Sequence, residues 1–299
     1  ILGSFSSILL LIGTNIVYAY SALLNFTDLL LFIKDLDLFV TDYTLLGVGF
    51  IFIIISFLFK FYAAPFHLWV SDIYQGAPTI ITAFFSVIPL PSLFYIFSKI
   101  VSLTFLKMYM IYNPIFNITI VLSLFIGTLG ALYQRKIKKL LAYSSVTSIG
   151  YFLSAFIVQS PIMLYNVYIY IFLYSFSLLS IFAVFLQLRI TNRREQKYIE
   201  QLSLLNGFIY INKYFTYSLL VFFFNIAGIP PFSLFIGKLF LLTSLAFNHN
   251  YIMIFIIVLV TILSCFYYVK LIKIMFFNNP QKLMNLSRPD FMSSFIISF

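Results

Sequence analysis

Two lysines lie inside long apolar stretches of the sequence, where a charge is costly. Lys60 lies within residues 47–66 and Lys238 within residues 222–242. A charge at the centre of a membrane helix costs about 2.5–3.5 kcal/mol on insertion scales, so such residues are rare without a function. The alternative for each is a lysine whose stem extends to the membrane surface. Apolar surroundings disfavour the charged form and allow a lysine to exchange its proton, which favours a proton path.

Helix-breaking residues accompany both lysines. Pro65 follows Lys60, and Gly228 and Pro231 precede Lys238. An interrupted helix frees backbone groups that must face a cavity or buried water. A matched pair of broken, charged helices is typical of ion carriers built from inverted repeats. The pattern therefore predicts two broken helices that carry protons.

The remaining sequence consists largely of apolar stretches that position these lysines in a membrane. The 299 residues are 63% apolar and 9% charged, whereas soluble domains are about 45–50% apolar and about 25% charged. A transmembrane helix needs about 20 apolar residues, so the sequence predicts eight spans and the start of a ninth at residues 291–299. The eight spans lie near residues 5–25, 43–66, 77–106, 113–134, 139–160, 162–188, 211–245 and 250–276.

Few residues are available for metal or disulfide chemistry. The single cysteine, Cys265, excludes a disulfide framework and cysteine zinc sites. The two histidines, His67 and His249, are far apart in the sequence, which argues against haem or copper sites held by paired histidines.

Basic residues concentrate in the loops on one side of the predicted membrane. They lie after the second, fourth, sixth and eighth spans, including residues 135–139 and 189–200, whereas the opposite loops contain Lys34, Lys99 and Lys107. This bias orients the chain by the positive-inside rule. Short loops without a binding fold argue against nucleic acid as a partner. The heavy use of Phe, Ile, Tyr and Asn is typical of an AT-rich organellar genome.

Three motifs follow one another along the chain. Residues 60–79 read KFYAAPFHLWVSDIYQGAPT, residues 135–151 read RKIKKLLAYSSVTSIGY, and residues 227–238 read AGIPPFSLFIGK. In these motifs the sequence resembles the subunit 2 family of NADH dehydrogenase, the antiporter-like subunit called N in bacterial respiratory complex I. The last two motifs are shared among several antiporter-like subunits, whereas Tyr-x-Gly-Ala-Pro at 74–78 singles out subunit 2.

The resemblance implies an all-α, polytopic membrane protein with an antiporter-like inverted-repeat helix bundle and two broken helices. Residues 1–110 would form the last three helices of the first repeat, and residues 111–280 the five helices of the second. Residues 281–299 would begin a further helix. Lys60 and Lys238 correspond to the lysines of the two broken helices.

The resemblance also implies a function in energy conversion. Such lysines couple quinone reduction elsewhere in the enzyme to proton translocation. The chain would hold no cofactor, because the flavin, the iron–sulfur clusters and the ubiquinone site belong to other subunits. Its partners would be the other membrane subunits of complex I and membrane lipids, in the mitochondrial inner membrane.

Departures from the family pattern fall in the middle of the proton path. Leu90 stands where the family usually has a lysine. Lys99 lies about 13 Å further along a helix and is no obvious substitute. Ser148 stands where bacterial relatives often carry a histidine. Thr82 and Ser86 are candidates to hold water molecules in this part of the path.

Polar residues of the fifth predicted span are further candidates for the proton path. Tyr143, Ser144, Ser145 and Thr147 form a polar stripe. Such a stripe either hydrogen-bonds to a neighbouring helix or forms a water wire. The sequence is compatible with both interpretations.

For the charged residues near the motifs, a structural role is weighed against a role in proton transfer. Lys138 and Lys139 open the fifth span, where membrane anchoring is favoured over proton entry. His67 could titrate near pH 7, but we expect it to order the loop after the first broken helix. Asp72 is expected to cap the next helix or to pair with a loop cation.

All eight acidic residues lie in loops or at span ends. A buried lysine that exchanges its proton usually works against a nearby carboxylate. The resemblance places that carboxylate, a glutamate, on the helix preceding the one that begins with ILGSFSS. We therefore expect a separate membrane chain to supply the first helices and an acidic partner for Lys60. The alternative is a lineage that lost these helices.

Two other functions remain open at the level of sequence. One is a subunit of a cation/proton antiporter, which shares the fold but is disfavoured by the subunit 2 loop. The other is a structural limb of complex I that does not pump, which Leu90 and the lack of a buried acid favour.

Overall fold

The computed structural model describes residues 2–35, 41–158, 160–192, 195–198 and 200–279. These residues form eleven α-helices: α1 (Leu2–Ser21), α2 (Phe26–Asp35), α3 (Thr41–Lys60), α4 (Leu68–Gly76), α5 (Thr79–Val87), α6 (Pro89–Leu132), α7 (Ile137–Leu153), α8 (Pro161–Gln187), α9 (Lys213–Ala227), α10 (Ser233–Phe247) and α11 (Tyr251–Phe277). The predicted all-α membrane fold is confirmed.

Two short elements differ from the sequence expectation. The segment between α8 and α9, predicted only as a basic loop, contains an antiparallel hairpin of β1 (Arg189–Asn192) and β2 (Glu195–Tyr198). The ten-residue helix α2 lies between the first two predicted spans. Both elements are too short to give a clear hydropathy signal.

Helix α6 contains the end of the third predicted span and the whole of the fourth. The ring centroids of Phe97 and Phe116 lie 6.1 Å apart. A straight helix would separate residues at this spacing by about 28 Å, so the chain reverses direction between them. The third and fourth spans are therefore separate, as predicted, and cover Thr79–Ser102 and Ile111–Leu132.

Many of the helices have the length and composition of membrane spans. Five are long and apolar enough to cross a membrane, and two shorter apolar helices, Leu45–Lys60 and Ser233–Phe247, carry the lysines. Large apolar side chains cover the outer surface, including Phe172 and Phe255, which are 70% and 69% exposed. Such a surface is stable against lipid rather than water. The predicted ninth span at 291–299, and the whole segment 281–299, lie outside the described residues.

Helix α7 lies at the centre of the bundle. All of its residues except Lys139 and Tyr143 are buried. Gly127 of α6 lets the two helices approach closely, since a Cβ atom there would lie 2.6 Å from the backbone nitrogen of Thr147. Small residues at such contacts are typical of membrane helices. The polar stripe of α7 is therefore enclosed by protein.

The loops at residues 135–139 and 200–202 lie together on one side of the bundle. The amide of Ile137 donates to the carbonyl of Glu200 at 2.9 Å, and the amide of Leu202 donates to that of Arg135 at 3.0 Å. Both loops follow spans that the charge bias placed on the same side, so the structure agrees with that relative topology.

Candidate proton-transfer site

The first broken helix consists of α3, the turn at residues 61–67 and α4. Lys60 is the last residue of α3 and is partly exposed. Its Nζ lies 5.6 Å from the centroid of the Phe57 ring, and no described residue gives it a hydrogen bond or an ion pair. It lines a cavity of about 240 Å³ together with Tyr62, Tyr74 and Leu90.

The second broken helix consists of α9, the turn at residues 228–232 and α10. Lys238 is 6% exposed. Its Nζ donates to the carbonyls of Ala227 at 3.0 Å and Ile226 at 3.3 Å. These are the last carbonyls of α9, and a helix C-terminus carries partial negative charge that stabilises a cation. No acidic side chain of the described residues pairs with this lysine.

Gly228 makes this arrangement possible. It ends α9 in the left-handed conformation with φ of +79°, which glycine adopts without steric cost. A Cβ atom at this position would lie 2.9 Å from both Cδ and Nζ of Lys238. The conformation of the turn and the approach of the lysine both require glycine here.

Asn225 joins the two halves of the second broken helix. Its Oδ1 accepts from the amide of Leu234 at 3.0 Å and from the hydroxyl of Ser233 at 3.2 Å. Its Nδ2 donates to the hydroxyl of Ser177 on α8 at 2.8 Å. The side chain therefore caps α10 and fixes the break against α8.

The serines of α7 lie between the two broken helices. Ser144 and Ser148 line a cavity of about 10 Å³ that Lys238 also lines. This is close to the size needed for one water molecule. Ser145 lies near the hydroxyls of Tyr62 and Tyr74 at the other broken helix. The structure thus brings Ser144 and Ser148 together with Lys238, and places Ser145 beside the tyrosines of the first broken helix.

Buried tyrosines are the functional candidates that the sequence analysis missed. Tyr62 and Tyr74 lie beside the Lys60 cavity, and Tyr151, Tyr174 and Tyr268 line the Lys238 cavity. The sequence signal was their position inside apolar stretches, because membrane proteins usually place tyrosine at the interfaces.

His67 and Tyr143 lie together rather than beside a lysine. His67 is 7% exposed and precedes α4. Its ring centroid lies 6.1 Å from that of Tyr143, and its carbonyl accepts from the amide of Val70. These contacts agree with the expected ordering of the loop.

Lys138 and Lys139 make structural contacts at the start of α7. The Nζ of Lys138 donates to the carbonyl of Ala77 at 2.7 Å. Lys139 pairs with Asp72 at 3.1 Å, so the predicted loop-cation pair of Asp72 is present. Both contacts hold α7 to the end of α4.

The remaining candidates lie near the middle of the path. Thr82 is buried and donates to the carbonyl of Thr79 at 2.8 Å, but it lines neither lysine cavity. Ser86 is buried near Tyr74. Leu90 lines the Lys60 cavity, so this position faces the first lysine. Among the described residues, no group of three or more His, Cys, Asp or Glu could hold a metal ion.

Residues 1–264 match the family model described as NADH:quinone oxidoreductase/Mrp antiporter, TM. The chain belongs to this family. Within it, the two buried or half-buried lysines and the motifs around them lie in the matched region.

Proteins similar to this family member include chain 2 and subunit N of respiratory enzymes. NADH-ubiquinone oxidoreductase chain 2 of Marchantia polymorpha is 34% identical over 287 residues, which cover 94% of this chain and 56% of the relative. NADH-quinone oxidoreductase subunit N of Wolbachia sp. subsp. Brugia malayi is 32% identical over 286 residues, with 93% and 58% covered. The chain therefore spans a little over half the length of these relatives.

Solved structures confirm the antiporter-like fold. A chain of respiratory complex I from Thermus thermophilus superposes with a TM-score of 0.74 at 22% identity, over 99% of this chain and 62% of that chain. A chain of the Mrp complex from Dietzia sp. DQ12-45-1b superposes with a TM-score of 0.80 at 22% identity, over 94% and 50%.

Proposed function

We propose that the chain is a proton-translocating membrane-arm subunit of an NADH:quinone oxidoreductase. The observation that carries the proposal is Lys238, a buried lysine whose Nζ, among the described residues, donates to the carbonyls that end α9 and pairs with no acidic side chain. The relatives named chain 2 and subunit N, at 34% and 32% identity, support the respiratory enzyme as its setting.

Lys238 has the surroundings of a group that gains and loses a proton. The two carbonyls stabilise the ammonium form, while burial among apolar residues favours the neutral amine. These effects oppose each other. A change of charge near Lys238 can therefore favour either its ammonium or its amine form.

Lys60 is the second proton-transfer group in this proposal. Tyr62, Tyr74 and Trp69 line its cavity, and their hydroxyls and indole N–H are buried without a hydrogen-bond partner among the described residues. A cavity with a cation and several free donors suits a carboxylate. We propose that a Glu or Asp on a companion membrane chain occupies it, and a structure of the assembled complex with only lipid or apolar groups around Lys60 would refute this.

The redox chemistry belongs elsewhere in the proposed enzyme. Flavin, iron–sulfur clusters and ubiquinone would be held by other subunits, and this chain would contribute proton transfer alone. We place the enzyme in the mitochondrial inner membrane, with the loops at 135–139 and 189–200 facing the matrix. Labelling of either loop only from the intermembrane side would contradict that orientation.

The experiment that tests the function is Lys238→Met in the complete enzyme. We expect the variant to assemble but to translocate fewer protons per NADH oxidised. Lys99→Met is the matched control, because Lys99 is exposed on α6 and lines neither lysine cavity. Full pumping by the assembled Lys238→Met enzyme would favour the second candidate, a structural limb that does not pump, to which Leu90 in the Lys60 cavity also points.

A further inference from the structure

Buried tyrosine hydroxyls without hydrogen-bond partners cluster in the centre of the bundle. The hydroxyls of Tyr62, Tyr74, Tyr151 and Tyr174 are buried and have no partner among the described residues. More than about 90% of buried polar groups in folded proteins are hydrogen-bonded. Four such hydroxyls in one region therefore indicate that water, or a change of rotamer, completes their bonding.

These hydroxyls form a continuous series with the serines of α7. Tyr74 lies near Tyr62 and Ser145. Tyr174 lies near Ser144 and Ser148, and it also interacts with Tyr74. A bridging water or a small change of rotamer would complete the contacts between these groups.

The series ends at the two lysines. Tyr62 and Tyr74 line the cavity of about 240 Å³ that contains Lys60. Tyr174 lines the cavity of about 10 Å³ that contains Lys238. The hydroxyls thus bridge the region where Leu90 and Ser148 replace the ionisable residues usual in the family.

The serines of α7 are oriented to accept hydrogen bonds from the tyrosines. The hydroxyls of Ser144, Ser145 and Ser148 each donate to a carbonyl three residues earlier in α7, at 2.8, 2.7 and 2.7 Å. Their oxygen lone pairs therefore point away from the helix backbone. A tyrosine hydroxyl or a water can donate to them from the side.

We propose that Tyr74 and Tyr174 are proton-carrying residues that connect Lys60 with Lys238. In each step a hydroxyl oxygen accepts a proton from one neighbour and releases its own proton to the next. One lysine changes from ammonium to amine and the other from amine to ammonium, so no tyrosinate forms and charge is conserved. This inference rests on the proposed function.

The test uses Tyr74→Phe and Tyr174→Phe in the complete enzyme reconstituted in vesicles. Each change removes one oxygen and keeps the ring, so packing is preserved. We expect a loss in protons translocated per NADH oxidised, with little change in thermal stability, because the removed hydroxyls have no hydrogen-bond partner among the described residues. Ser145→Ala is a second variant, and the same loss is expected from it.

Tyr168→Phe is the matched control on α8. Its hydroxyl lies 2.5 Å from that of Ser98, so its removal should lower stability while the pumping ratio stays at the wild-type value. Unchanged pumping in Tyr74→Phe, Tyr174→Phe and Ser145→Ala, with reduced pumping in Lys238→Met, would overturn the relay and leave the proposed function intact. Unchanged pumping in Lys238→Met as well would overturn both.

Discussion

The two broken helices carry the same residue types but hold their lysines differently. Lys60 ends the helix before its break, whereas Lys238 lies in the helix after its break. Helical side chains tilt toward the N-terminus of their own helix. The stem of Lys60 therefore lies back along α3 over Phe57, while that of Lys238 reaches back into the break. Whether the lysine lies before or after the break therefore decides whether backbone carbonyls bind its ammonium group.

The two breaks are also fixed by different contacts. Asn225 joins α9, α10 and α8 through side-chain and backbone hydrogen bonds. The first break is tied to α7 by the hydrogen bond from Lys138 to the Ala77 carbonyl and by the Asp72–Lys139 pair, whose side chains are 76% and 27% exposed. One side chain thus joins the two halves of the second break to each other, whereas these contacts of the first break hold only the end of α4.

The largest expected effect comes from Gly228→Ala. The new Cβ would occupy the space of the Lys238 stem in a left-handed backbone. Left-handed geometry costs about 1–2 kcal/mol and overpacking a further 1–3 kcal/mol, about 2–5 kcal/mol together. A destabilised break should expose Cys265, whose Sγ lies 3.8 Å from the Ala227 carbonyl. Chemical modification of this thiol, followed by the mass of its peptide, should therefore be faster in the variant than in the wild type.

Gly76→Ala is the control for this prediction. Nothing lies within 4 Å of a Cβ atom at Gly76, which belongs to α4 beside the first break. We expect Cys265 to react at the wild-type rate in this variant. Equal rates in both variants would show that the second break does not depend on the close approach of Lys238.

The second prediction compares the lysines directly. Lys238→Met leaves two buried carbonyls without their donor, which costs about 1–3 kcal/mol. Lys60→Met removes no hydrogen bond and should change stability by less than about 0.5 kcal/mol. Thermal unfolding of the chain in the purified complex measures both. Equal losses would mean that Lys60 has partners as strong as the carbonyls that hold Lys238.

The smallest effect is expected from Asp72→Asn. An exposed ion pair contributes about 0–1 kcal/mol and is screened by salt. The thermal midpoint should therefore fall slightly at low salt and match the wild type at high salt. A large loss that persists at high salt would show that the first break is as firmly tied as the second.

Hydropathy and the positions of proline and glycine predict the five long apolar helices and the two broken helices that carry the lysines. The predicted spans at 139–160 and 211–245 correspond to shorter helices, namely α7 and the pair α9 and α10. These features are local, because a run of apolar residues or a proline acts within one helix. The departure from the family pattern at Leu90 is also visible in the sequence, and the structure adds that Leu90 lines the Lys60 cavity.

The tyrosine cluster could not be predicted in the same way. Tyr74, Tyr174 and Tyr268 lie on α4, α8 and α11, and only the packing around α7 brings them together. A tyrosine in an apolar stretch resembles a packing residue until its hydroxyl is seen to have no partner. Likewise, the direction in which each lysine points depends on its place relative to the break, which hydropathy does not record.

The carbonyl ligands of Lys238 have a consequence for signalling inside the membrane. If a carboxylate held this lysine, loss of the proton would leave a buried anion in place of a neutral pair. Carbonyls are dipoles, so deprotonation leaves a site with no net charge. In both arrangements the charge of the site falls by one, but with carbonyls it falls from one positive charge to none, so the deprotonated site exerts no net charge on a neighbouring titratable group.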